Sequence, residues 1–182
     1  MSNKLTPLTS LIMMIDIQDK LVKMVQSESI INKNQIIATI SKELEIPVIL
    51  TEQYPQGLGD TIDEVKSKLH ENTKIYEKKC FSALEEENLY TTIKNYKKTQ
   101  IILTGIETHI CVLQTALDLL ENGYQVFIIK DACASRDKEE HNLAIERLKQ
   151  HGAIIISTEM FLFELLKKSS HPKFKELQKL IK

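Results

Sequence analysis

The sequence predicts a three-layer α/β/α fold on a doubly wound, mainly parallel six-stranded sheet. Two observations carry that expectation. Short continuous apolar runs such as LIMMI, IPVIL, QVFII and AIII read as strands buried on both faces, the mark of a parallel sheet covered on either side. Between them lie segments whose apolar residues recur at three- and four-residue steps, so that strands alternate with helices.

The elements follow in order. Leu8–Asp16 is the first strand, closing on an acid. Ile31, Ile36, Ile37, Ile40 and Leu44 space a helix over Ile30–Leu44; Pro47 follows it, and Ile46–Leu50 reads as the second strand. QYPQGLGD is a turn-rich loop, followed by a helix from Thr61 to Leu69 and a short strand at Lys74–Tyr76. Leu84–Tyr96 reads as a surface helix. Ile101–Leu103 is the central strand, Thr104-Gly105 breaks it, Thr108 is placed to cap the next helix, and Gly123 stops that helix. Gln125–Ile129 is a strand ending at Asp131, and His141–Gln150 a helix closed by Gly152. Ala153–Ile156 is the last strand, with helices through Phe161–Leu166 and after Pro172. No repeat or linker interrupts the pattern, so one domain over 1–182 is expected, with a C-terminal helix at 172–182.

Composition narrows the function. A net charge of −1, with Arg136 and Arg147 the only arginines, encodes no electrostatic pull toward nucleic acid. Three cysteines without tight spacing argue against a disulfide framework and for a reducing compartment. MSNKLTPLTS has no apolar signal region, and no apolar run approaches the roughly 20 residues of a membrane span. A soluble cytoplasmic protein with no membrane partner is expected.

In such a fold, usable groups gather at the carboxyl ends of the strands, near the switch in strand order. That rule selects Asp16, Thr51-Glu52-Gln53, Glu77-Lys78-Lys79, the segment Gly105 to Cys111, and Asp131. An acid, an amine and a thiol at one rim make an acid–base and nucleophile set. Cys111 falls in the first turn of a helix that follows a strand, where backbone N–H groups and the helix dipole favour thiolate; it reads equally as a small buried core residue. Asp16 reads also as a helix cap, and Lys78 or Lys79 as a solvated surface lysine. Cys80 lies near the rim without the strand-to-helix elbow, and Cys133, just past Asp131, reads as a small packing residue. His109 sits two residues from Cys111 and so faces away from it. Gly57-Leu58-Gly59 is no dinucleotide fingerprint, no GK[ST] phosphate loop is present, and the five histidines lack metal-ligand spacing. The tail HPKFKELQKLIK is amphipathic and reads as a helix packed on the body or on a sister subunit rather than on a membrane.

Five segments carry a resemblance over nearly the whole chain: LIMMIDIQDKL, ILTEQYPQGLGDT, YEKKCFSAL, LTGIETHICVLQTALDLLENGYQVFIIKDACASR and the tail. Together they resemble the isochorismatase-like cysteine hydrolases, in particular the isochorismatase domain-containing subgroup. The resemblance implies a Rossmann-like strand order and a catalytic triad of Asp16, Lys78 (not Lys79) and Cys111. It also implies a cis bond between Ile106 and Glu107 that turns backbone N–H groups of Glu107 and Cys111 into an oxyanion hole. Gln18, Gln53, Tyr54, Phe81 and Thr108, beside these positions, are the substrate-binding candidates. Nicotinamidase-like relatives hold a metal through Asp-x-His and a further His after strand two, where this chain has Glu52-Gln53-Tyr54; no metal and no cofactor are therefore expected. True isochorismatases work without the cysteine. The expected function is a metal-independent cysteine hydrolase of a small amide-like carbonyl compound, attacking C–N bonds. A catalytically weak interaction protein or a redox-sensing thiol protein on the same fold are the alternatives. At a helix start beside Lys78 the Cys111 thiol is expected to ionise well below its usual value of about 8.5, with Asp16 pulling the other way so that thiol and carboxyl titrate as a coupled pair. The apolar breadth of the Ile110–Leu120 helix points to a homo-oligomer, a dimer or higher.

Overall fold

The computed structural model describes residues 4–25 and 28–181. Met1–Asn3 of the N-terminal reading and Lys182 of the C-terminal helix lie outside them. The strands are β1 (Ser10–Ile15), β2 (Val48–Gln53), β3 (Lys74–Lys78), β4 (Gln100–Ile106), β5 (Gln125–Ala134) and β6 (Ile154–Ile156). All pair in parallel, in the order β3-β2-β1-β4-β5-β6. The chain winds outward from β1 on one side and from β4 on the other, so the switch in strand order lies between β1 and β4.

The nine α-helices among the described residues are α1 (Asp19–Val25), α2 (Glu28–Glu43), α3 (Pro55–Leu58), α4 (Asp63–Lys66), α5 (Glu87–Asn95), α6 (Leu113–Glu121), α7 (Lys138–Gln150), α8 (Thr158–Leu166) and α9 (Phe174–Leu177). Because successive strand side chains face opposite ways, β1 feeds two cores. Ile12 and Met14 pack with Ile36, Ile37 and Ile40 of α2, Phe161 and Leu165 of α8, and Leu177 of α9. Leu11, Met13 and Ile15 pack with Leu89 and Ile93 of α5, Ala116 and Leu119 of α6, and Ile145 and Leu148 of α7. The continuous apolar runs are explained by this two-sided burial, since every residue of β1 and β4 is buried.

Several expectations are corrected. β3 runs on to Lys78; as an edge strand with Lys74, Ile75 and Glu77 exposed, it carries no apolar run to mark its length. β5 continues past Asp131 to Ala134 with a register shift opposite Leu103 and Gly105, so Asp131 is no strand end. Its carboxylate instead accepts from the Thr158 N–H and hydroxyl at the start of α8. The expected Thr61–Leu69 helix is the single turn α4, and the QYPQGLGD loop contains the turn α3. The helix for which Asp16 is a candidate cap is α1, but it begins at Asp19, and the Asp16 carboxylate meets Thr51 and Lys78 instead. The tail packs on the body: Leu177 is fully buried, and Lys173 Nζ lies 2.5 Å from Glu43 Oε2.

Thr108 does not cap the helix after β4. Thr108–Val112 form a π-helical turn that leads into α6, and the Thr108 hydroxyl pairs with His141 Nδ1 at 2.8 Å. A π turn widens the coil by one residue and occurs frequently at functional positions.

Candidate active site

Three strand ends meet at the switch point. Asp16 follows β1 directly, in a left-handed backbone conformation (φ 51). Lys78 is the last residue of β3, two strands away, and its long side chain reaches back across β2. Cys111 lies in the π turn after β4. The close fit of β4 against β1 depends on Gly105 (φ +124), where an added Cβ would lie 1.9 Å from the carbonyl oxygen of Ile15. The Ile106–Glu107 peptide that follows is cis.

Lys78 Nζ lies 2.8 Å from Asp16 Oδ2, with both side chains fully buried. A buried ammonium needs its protons matched by acceptors. Here Lys78 also donates to Gln53 Oε1 at 2.6 Å and to the carbonyls of Phe81 and Cys80 at 3.2 and 3.3 Å. The other carboxylate oxygen, Asp16 Oδ1, accepts from the Thr51 hydroxyl at 2.6 Å. Asp16 Oδ2 meets the lysine by charge but receives no aligned hydrogen bond. The close N–O approach shows real attraction, and the misalignment leaves that oxygen with an unfilled lone pair.

The Cys111 thiol is buried and senses both partners. Burial pushes its pKa up to about 12; the Asp16 charge pushes in the same direction and Lys78 opposes them. The expectation of a low thiol pKa is thus overturned. Cys111, at 6 % exposure, loses more from desolvation and the Asp16 charge than the Lys78 ammonium returns. The resting centre is a neutral thiol beside a carboxylate–ammonium pair.

The flanking residues divide. Gln18 is fully buried, with Oε1 accepting from the Gln53 N–H and Nε2 donating to the carbonyls of Gln53 and Gly59. Gln53 uses both ends of its amide, on Lys78 and on the Lys79 carbonyl. Thr108 is buried against His141. The side-chain amides of Gln18 and Gln53 and the Thr108 hydroxyl each engage partners within the protein. Tyr54 and Phe81 are exposed at the surface, at 54 % and 51 %. The His109 ring pairs with the Ser135 hydroxyl at 2.9 Å. The Glu107 carboxylate accepts from the Arg136 N–H at 3.0 Å. The sequence selects Thr51 only as part of the end of the second strand, with no role; its position two residues before Gln53 on β2 puts both on the same face. Ser82, the serine of the YEKKCFSAL segment, donates its hydroxyl to Asp118 of α6 and fixes the loop that presents the Phe81 carbonyl.

Among the described residues, no group of three or more His, Cys, Asp or Glu side chains is placed to hold a metal ion. None of the described helices is long and apolar enough to cross a membrane.

Residues 10–160 match the isochorismatase domain. The chain belongs to the isochorismatase family. Isochorismatase family protein 1B of Dictyostelium discoideum is 40 % identical to it, over 96 % of this chain and 86 % of the relative. Isochorismatase domain-containing protein 2 of Bos taurus is 36 % identical over 98 % and 86 %. The secreted isochorismatase effector Isc1 of Phytophthora sojae is 37 % identical over 98 % and 87 %. Among solved structures, the MAR1 ribonuclease of Caenorhabditis elegans superposes with a TM-score of 0.92 at 40 % identity, covering 98 % of this chain and 92 % of that one. The YcaC gene product of Escherichia coli, an octameric hydrolase of unknown specificity, superposes with a TM-score of 0.89 at 22 % identity over 98 % and 96 %, a likeness of fold. The isochorismatase-family hydrolase fold of this chain therefore carries the Asp16–Lys78–Cys111 cluster at its switch point.

Proposed function

We propose that this family member is a cysteine hydrolase that cleaves C–N bonds of a small amide-like carbonyl compound without a metal. One observation carries the reading: a buried acid and ammonium, 2.8 Å apart, both interact with one buried thiol. In the reaction Asp16 takes the Cys111 proton as the sulfur attacks the carbonyl carbon, and the carbonyl electron pair moves to oxygen. Backbone N–H groups of Glu107 and Cys111 receive that oxyanion, and Lys78 balances the negative charge as it leaves the sulfur. Collapse of the intermediate expels the amine, which takes the proton from Asp16 and leaves a thioester. Water, deprotonated by Asp16, then cleaves the thioester, and the proton returns to the sulfur. The high resting pKa of Cys111 fits this order, because the proton moves only when substrate arrives.

Tyr54 and Phe81, exposed beside the lysine, are the side chains available to meet a substrate. Self-association into at least a dimer belongs to the same proposal. Leu117 and Leu120 of α6 already pack on the protein's own core, so its support comes from Tyr54, Phe81, Leu143 and other exposed apolar side chains. A monomeric mass by light scattering at micromolar concentration would count against it. The proposed location is the cytoplasm, on the strength of the three unpaired cysteines, although one relative is a secreted protein.

A panel of small amides and imides, incubated with wild type and Cys111→Ala, tests the reaction. Release of amine by wild type alone, with an acylated Cys111 seen by mass spectrometry, is expected; equal release by both proteins would end the reading. RNA cleavage is the second reading, favoured by likeness to the nematode ribonuclease and opposed by the net charge of −1 and the buried centre. Single-stranded RNA cut by wild type, with every amide untouched, would favour it.

A further inference from the structure

Resting on that reading, we infer that Gln53 is a positioning residue: it holds the Lys78 ammonium in place and does not bind substrate. Thr51 and Gln53 stand two apart on β2 and so share a face. Each takes one member of the buried ion pair, Thr51 donating to Asp16 Oδ1 and Gln53 accepting from Lys78 Nζ, both at 2.6 Å.

The orientation of the Gln53 amide is fixed from both ends. Its Nε2 donates to the Lys79 carbonyl at 2.8 Å, which needs the amine on that side, and the ammonium needs the oxygen on the other. The backbone is held as firmly, since the Gln18 amide accepts from the Gln53 N–H at 2.7 Å and donates to its carbonyl at 3.1 Å. The buried Gln18 thus steadies Gln53, and Gln53 steadies Lys78.

The neutrality of this acceptor matters as much as its place. Lys78 has one anion in contact, Asp16, and otherwise meets only neutral oxygens from Gln53, Cys80 and Phe81. Its charge is therefore still available to the sulfur when the Cys111 proton leaves. Asp16 and Lys78 are the charged groups that act on the thiol, and Glu86 also interacts with Lys78 by charge. A carboxylate at position 53 would match the glutamine in shape while adding a second anion at the ammonium.

Gln53→Met removes the acceptor and Gln53→Glu keeps it but charges it. The readout is the pH dependence of iodoacetamide labelling at Cys111, resolved by peptide mass spectrometry and run beside a melting temperature to confirm that each variant is folded. Both variants should label more slowly at neutral pH, with profiles moved to higher pH. For Gln53→Met the loss should be about ten- to a hundred-fold, as for a hydrogen bond to a charged group. On any amide that is turned over, kcat should fall with KM little changed. Labelling profiles that superimpose on wild type would overturn the inference, and a raised KM beside them would return Gln53 to substrate binding. Labelling needs no substrate, so a wild type inactive on every amide would count against the proposed reaction and leave this result readable.

Discussion

Lys78 Nζ reaches across β2 to within 2.8 Å of Asp16 Oδ2, and neither side chain exposes any surface. Two charges removed from water recover their desolvation only through each other and through neutral partners. Replacing one partner leaves the other charged and buried. Lys78→Met should therefore lower stability by about 3–5 kcal/mol in urea titrations. The double variant Asp16→Leu/Lys78→Met should recover much of that loss. A single variant as stable as wild type would show that the pair is not buried as described.

The two buried thiols set the alkaline limit. Burial pushes both Cys111 and Cys133 up to about 12, whereas an unfolded thiol ionises near about 8.5. Below the unfolded value both states hold the proton and stability is complete. Above it the unfolded chain loses the proton first, so stability falls as pH rises toward the folded value. Each thiol should contribute about 1.4 kcal/mol of loss per pH unit in that window. Urea midpoints taken between about pH 8 and pH 10 should fall less steeply for Cys133→Ala than for wild type. Parallel slopes would contradict the burial of that sulfur.

Gly105 is where β4 presses on β1. An added methyl would meet the Ile15 carbonyl oxygen at 1.9 Å, from a backbone with φ +124 that other residues rarely adopt. Gly105→Ala should lower the melting temperature and, because Asp16 directly follows Ile15, disturb the acid as well. Soluble Gly105→Ala with wild-type melting would refute the close approach.

The buried strands were legible because burial on both faces leaves an uninterrupted apolar run, as in β1 and β4. β3 was legible only as Lys74–Tyr76, because an edge strand ending in Glu77-Lys78 looks like surface. Asp16 and Cys111 could be found from the rule that chemistry gathers at strand ends, but nothing in the spacing chose Lys78 over Lys79; the resemblance did. The thiol pKa was misjudged because sequence shows a helix start and a lysine but not the depth of the sulfur. That Gln18, Gln53 and Thr108 engage protein partners was not legible for a related reason. A polar residue beside a site looks the same in sequence whether it faces a ligand or a neighbour in the protein.

Central to the account is that Asp16, Lys78 and Cys111 form one site. The most direct measurement is the pH profile of iodoacetamide labelling at Cys111 in wild type, Asp16→Asn and Lys78→Met. The Asp16 charge raises the thiol pKa and Lys78 lowers it. Asp16→Asn should therefore shift labelling to lower pH while abolishing turnover, and Lys78→Met should shift it to higher pH. Opposite displacements are the predicted result. Profiles that coincide in all three proteins, or that move the same way in both variants, would contradict it.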